Sequence, residues 1–206
     1  MAEDRPDKRR QRRAQTRRRL LEAGLELMGR RGIVACKVEE ITRAAGVGKG
    51  TFFTHFAGKE SFVAELVGLV LDDLARRVRP VGLAPSDAEA RLAGVGAVHL
   101  RFFQLRPQAA ALLTEACRLA GGEGGEGIRR RLERHVELVA EMLAPAAASL
   151  GWPAERVREL ALMLIATSVG FFWFGTPLEL GRDTPAALLD RLGRALARGL
   201  AGVRRE

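Results

Sequence analysis

The side chains of this 206-residue chain that could do chemistry gather in one short stretch. From Val38 to Phe62 it reads VEEITRAAGVGKGTFFTHFAGKESF, with Lys37 just before it. Lys37, Arg43, Lys49 and Lys59 supply cations, and Thr42, Thr51, Thr54 and His55 supply neutral donors. Gly48 and Gly50 carry no side chain and let another molecule approach the backbone closely. Phe52 and Phe56 are spaced to share one face of a helix, which leaves Lys49, Gly50, Phe53, Thr54 and His55 on its outer face. Cations and short donors on the outer face of a short helix match phosphates and base edges in a major groove. The alternative is an ordinary helical hairpin, which leaves the outward Lys49 and His55 without a purpose.

Other chemistries fit less well. Gly46 to Thr51 superficially resembles a nucleotide-binding glycine loop. Gly50, however, separates the lysine from the threonine, and no strand precedes the loop. His99, Glu115, Cys117 and His135 fall singly on separate predicted helices, except for the neighbouring Glu115 and Cys117. None has the spacing of a nucleophile with its base or of a metal site. No catalytic residue, metal ligand or cofactor is expected. Cys36 and Cys117 form no CxxC pair and read as two reduced thiols.

The stretch must be held by helices. The pattern turns helical near Thr16, where Leu20, Leu21, Ala23, Leu25, Leu27 and Met28 lead to a stop at Gly32. A short helix with Val38, Ile41, Ala44 and Ala45 stops at Gly46, and another runs from Lys49 to Phe56. Longer helices are predicted over 59–79, from an N-cap at Ser86 to 105, 107–119, 128–149, 153–174 and 184–204. Breaks fall at Pro80 to Pro85, at the glycine run Gly121 to Gly127, and from Gly175 to Asp183. The expected fold is all-α with about nine helices. A helix-turn-helix domain is expected over 15–60 and a larger ligand-binding and dimerisation domain over 61–206.

Composition supports this reading. The chain is rich in helix formers, has no Tyr, and draws little on the aromatics a β-sandwich needs. Its formal charge is +9, and Arg (30) far exceeds Lys (4), which codon bias alone could produce. Placement argues otherwise: nine basic residues and one acidic residue lie between Arg5 and Arg19. Residues 1–14 are expected to be a disordered basic arm able to reach phosphates or a minor groove. The longest apolar run, Leu160 to Phe174, is short for a membrane span, and no apolar leader is visible, so a cytoplasmic protein without a membrane partner is expected.

The segment ITRAAGVGKGTFFTHFAGKESF, with the helix before it, resembles the DNA-binding domain of the tetracycline-repressor (TetR) family, whose pattern runs roughly IAxxAGVSKGTFYxHFxSKExL. The resemblance implies DNA contacts from Lys37, Thr42, Arg43, Gly48, Lys49, Gly50, Thr51, Phe53, Thr54, His55 and Lys59. Three positions depart from it. Phe53 replaces an aromatic with a hydroxyl, Gly48 replaces a serine, and Lys37 replaces a Ser or Thr cap. Each removes a neutral phosphate donor. By the same resemblance the protein is no enzyme. The resemblance implies instead a sequence-specific DNA-binding transcriptional regulator, a repressor, and a homodimer through its last two helices that reads a palindrome. A small hydrophobic effector would release it, from a pocket around His99, Phe102, Phe103, Leu113, Thr114, Cys117, Phe172 and Trp173. For any single one of these residues the favoured reading is plain core, or dimer interface for Phe172 and Trp173. Two other classes stay open: a ligand-independent, nucleoid-type DNA binder carried by the basic arm, and a helical enzyme or scaffold.

Overall fold

Eight α-helices follow one another with short connections in the computed structural model, which describes residues 4–175 and, beyond them, Ala187, Arg191 and Arg194. They are α1 Asp4–Arg31, α2 Val38–Ala44, α3 Lys49–His55, α4 Lys59–Leu83, α5 Ala88–Leu105, α6 Pro107–Leu119, α7 Glu126–Leu150 and α8 Val157–Gly170. A 3₁₀ turn, Ala154–Arg156, leads into α8, and a π turn, Phe171–Gly175, follows it. No strand occurs among the described residues. The helix expected over 184–204 lies outside the described residues, apart from three positions in helical conformation.

Element boundaries differ from the sequence expectation in instructive places. The segment expected to be a disordered arm is helical from Asp4. Its Arg, Gln and Ala residues are good helix formers, and Pro6 sits in the first turn, where no amide partner is needed. Pro80 does not end α4, which continues to Leu83. The cap of α5 is Asp87 rather than Ser86, and its carboxylate accepts the Ala90 amide at 2.7 Å. The glycine run yields its last two residues to the first turn of α7.

The described helices form two compact units. The first comprises Met1–Val70 and Pro107–Arg131, the second Leu71–Arg106 and Leu132–Glu206. This division does not fall at the expected boundary between 60 and 61. In the first unit, α1 buries Leu20, Leu21, Gly24 and Met28. A side chain at Gly24 would overlap the Phe62 ring of α4. One at Gly29 would lie 2.5 Å from Gln108 Cβ of α6. The apolar stripe of α1 is thus longer than α2 and α3 can cover, and α6 covers the rest.

The second unit is built mainly on aliphatic residues of α4, α5, α7 and α8, including Leu74, Val78, Leu92, Val95, Leu143 and Leu160, all essentially inaccessible. Its buried polar groups are few, and all but His135 Nδ1 are paired. Ser168 Oγ shares its one proton between Leu164 O at 2.9 Å and Gly96 O at 3.3 Å. His99 Nδ1 lies 2.8 Å from Val95 O, and His99 Nε2 lies 3.1 Å from His135 Nε2. A ring nitrogen facing a carbonyl must carry the proton. His99 therefore donates from Nδ1 and accepts at Nε2, and His135 donates from Nε2. Burial lowers the His99 pKa to about 4 and, with the neighbouring His99, the His135 pKa to about 3.

Candidate nucleic-acid interface

The two short helices meet at Gly46, whose φ of +64° lies in the left-handed region that favours glycine. The Val47 amide returns to Thr42 O at 2.9 Å and closes the turn. On the inner side, Phe52 is wholly buried against Phe56 and Phe62, with ring centroids 5.2 Å away in both cases. This aromatic cluster fixes the rotation of α3 about its axis. Lys49, Gly50, Phe53 and Thr54 are then exposed together, with Gly48 beside them. Phe53 is 51% exposed, a cost in water that a partner surface would remove. Nothing lies within 4 Å of a Cβ built on Gly48 or Gly50, so both leave open space on this face.

The remaining predicted contacts are placed less uniformly. Lys37 and Arg43 are exposed, Thr51 and His55 half-buried. Thr42 is buried, and its hydroxyl donates within α2 to Glu39 O at 3.1 Å, which takes it off the surface expected for it. Thr42, the fifth residue of α2, is buried together with its neighbour Ile41. Lys59 donates to Val34 O at 3.1 Å. Burial, reinforced by Arg13 and Arg17, lowers the His55 pKa, so the ring is neutral near pH 7. Its Nδ1 is buried and unpartnered. Lys37 does not cap α2 through its side chain. Instead Glu40 accepts the Lys37 amide at 2.9 Å and pairs with Arg31 at 2.7 Å.

Sequence reasoning missed the residues that hold this face in place. Arg17 donates from Nη1 to His55 O at 2.7 Å, at the end of α3, and from Nε to Glu65 at 2.7 Å. Its guanidinium stands 4.5 Å from the centroid of the Phe56 ring. Arg13 reaches Thr54 O at 3.4 Å, and Arg19 donates to Ala45 O beside the turn. Glu115 of α6 accepts the amides of Ile33 and Val34, at 2.5 and 3.2 Å, in the link between α1 and α2. The signal was present: extending the Gly24 stripe of α1 backward by helical steps lands on Leu20 or Leu21, then Arg17, then Arg13. Arg13, Arg17 and Arg19 are therefore engaged within the protein. Arg9, Arg10 and Arg12 remain exposed, without an ion-pair partner among the described residues.

The residues expected around an effector divide between the two units. Leu113, Thr114 and Cys117 belong to the first unit. Leu113 is buried, the Thr114 hydroxyl donates to Ala110 O at 2.9 Å, and Cys117 is exposed. The others belong to the second. There Phe103 stacks near Phe172, with centroids 6.2 Å apart, and Phe172 near Trp173 at 5.2 Å. Phe102 lies under the guanidinium of Arg106, 5.4 Å from its centroid. His99 has both ring nitrogens engaged. None of the eight lines the cavity of about 280 Å³ in the first unit, bounded by Ile33, Lys59, Val63, Arg118 and Ile128 among others. Nor do they line the groove of about 620 Å³ in the second, which runs along Ala140, Ala144 and Ala148 to Trp152.

This arrangement is that of a helix-turn-helix set in an all-helical protein. Residues 20–66 match the family model described as bacterial regulatory proteins, tetR family. A 76-residue stretch is 37% identical to the HTH-type transcriptional repressor KstR2 of Rhodococcus jostii, covering 37% of each chain. The match thus spans little more than a third of that relative's length. Along most of the chain the likeness is one of fold. A transcriptional regulator of Rhodococcus sp. Rha1 superimposes with a TM-score of 0.74 at 20% identity, covering 89% of this chain and 96% of that one. FadR of Bacillus subtilis, in complex with stearoyl-CoA, does so at 0.69 and 20%, with the same coverages. Motif and family model agree over residues 20–66, where the chain is similar to the tetR family of bacterial regulatory proteins, and the likeness along the rest of the chain is one of fold.

Proposed function

We propose that this chain is a sequence-specific DNA-binding transcriptional regulator, a cytoplasmic repressor that leaves a palindromic operator when a small-molecule effector binds. The observation that carries the reading is the face of α3. Lys49, Gly50, Phe53 and Thr54 are exposed side by side, while Phe52 behind them is locked in an aromatic cluster. A recognition helix needs both a rigid back and an open front of this composition. Lys37, Arg43, Thr51, His55 and Lys59 complete the contact set from the flanks.

One such helix reads half of an ordinary site. A homodimer would place two of them about 34–36 Å apart, one turn of DNA. Leu162, Met163 and Trp173, all exposed, support an interface along α8 and the turn after it. The expected second helix of that interface, 184–204, lies outside the described residues. That a protein of the same fold is in complex with stearoyl-CoA supports an apolar effector. A coupling of about 1–3 kcal/mol would weaken operator binding ~5–150-fold.

The test is selection of duplexes from a randomised pool by the purified protein, followed by titration against selected and random DNA. A palindromic consensus bound at least ~10³-fold more tightly than random duplex is expected. A ratio near one would replace this reading with a nucleoid-type binder. No retention of any duplex would overturn DNA binding altogether.

A further inference from the structure

Lys49 stands at the start of the recognition helix, yet its ammonium is already engaged. It pairs with the Glu39 carboxylate of α2, and both side chains are about half exposed, at 59% and 47%. The pair is specific to this lysine. Lys59 bonds a backbone carbonyl, and Lys37 and Arg43 have no carboxylate partner among the described residues. The Lys49 contact is also what chiefly holds the Glu39 carboxyl below its usual range. A negative charge thus sits next to Lys37 and Lys49, two of the cations assigned to this face.

An exposed ion pair of this kind contributes only ~0–1 kcal/mol to stability, so stability does not account for the placement. Its effect on a ligand differs with the ligand's charge. An ammonium has three donors. It can keep Glu39 and still donate to a neutral base acceptor such as a guanine O6 or N7. A phosphate approaching the same ammonium brings its own negative charge against Glu39.

We propose that Glu39 is a specificity-determining residue, which by pairing with Lys49 penalises phosphate contacts at the recognition helix while tolerating base-edge contacts. This rests on the DNA-binding reading above and adds to it a residue that never needs to touch DNA.

The experiment compares wild-type protein with Glu39→Gln on two duplexes, one random and one enriched by the wild-type protein from a randomised pool, across a salt series. On random DNA at about 0.1 M salt, Glu39→Gln is expected to bind ~3–10-fold more tightly, with a log–log salt slope steeper by about 0.9, one extra phosphate contact. On the enriched duplex the gain is expected to stay under about twofold, because the base contact is already made. In a Lys49→Gln background, Glu39→Gln should change neither quantity. Equal affinity and slope for wild type and Glu39→Gln on random DNA would overturn the proposal. So would an equal gain on both duplexes, or an effect that persists without Lys49. If the wild-type protein retained no duplex, the DNA-binding reading would fall and this inference with it. If the wild type binds and only the variant comparison fails, the inference falls alone.

Discussion

The two compact units hold themselves together by different means. In the first, a three-ring aromatic cluster is girdled by charged side chains that reach backbone groups: Arg17 to His55 O, Arg19 to Ala45 O, Glu115 to the amides of Ile33 and Val34. In the second, charges stay at the rim apart from Arg91, which is buried and donates to Ala84 O at 3.0 Å. Asp73 pairs with Arg106 at 2.6 Å, and Arg158 with Glu137 at 3.1 Å, while the interior is aliphatic around two neutral imidazoles. A unit that must present one precise face gains from directional contacts that fix short helices. A unit that needs only a packed interior gains most from area removed from water. The first should therefore respond to loss of single directional contacts, the second to acid.

The largest expected effect lies in the aromatic cluster. Phe52→Ala removes a wholly buried ring from contact with Phe56 and Phe62 and is expected to destabilise by ~3–5 kcal/mol, read by chemical denaturation. A loss below about 1 kcal/mol would mean that the cluster is not what orients α3.

Acid comes next. The folded pKa values of His99 and His135, about 4 and about 3, lie below the ordinary 6.5. The unfolded chain therefore binds more protons as pH falls through 6.5, and stability present above that value is lost toward pH 4. Between pH 7 and pH 5 the loss should reach roughly 3–4 kcal/mol for the pair. The ring-proton NMR signals of both residues should show no titration above pH 5. Midpoints near 6.5 would erase this contrast between the units.

Glu115→Ala leaves two amides in the α1–α2 link without their acceptor and should cost ~1–3 kcal/mol. Faster hydrogen exchange at Ile33 and Val34 would locate the loss. The smallest effect is a gain. Phe53→Tyr adds a hydroxyl to an exposed ring and should tighten DNA binding by ~0.5–1.5 kcal/mol, roughly 2–10-fold, with no change in thermal stability.

Much of the first unit could be read from the chain alone, because its signals are local. Glycine spacing placed the turn, and the Phe52–Phe56 interval assigned the inner and outer faces. What escaped notice depends on the third dimension. The α1 stripe puts Arg17 on the inner face, but nothing local tells which backbone group it reaches, that Glu115 crosses from α6, or that Thr42 turns inward rather than out. The effector residues were read from bulk and adaptability, properties shared by any core position. His99 and Phe103 indeed lie in the interior of the second unit, whereas Cys117 is exposed in the first. The ninth helix and the dimer surface expected on it lie outside the described residues.

The stripe on α1 has a consequence for inheritance. Leu20, Gly24 and Met28 are covered partly by Phe62 and Leu66 and, farther along, by α6, which enters only after residue 106. The head of this protein is therefore not a cassette that ends where its motif ends. A gene fusion cut after residue 60 would carry the motif away from its own lid. Exchange of heads between relatives should succeed when the crossovers bring α6 with them, so that two segments far apart in the gene behave as one heritable part.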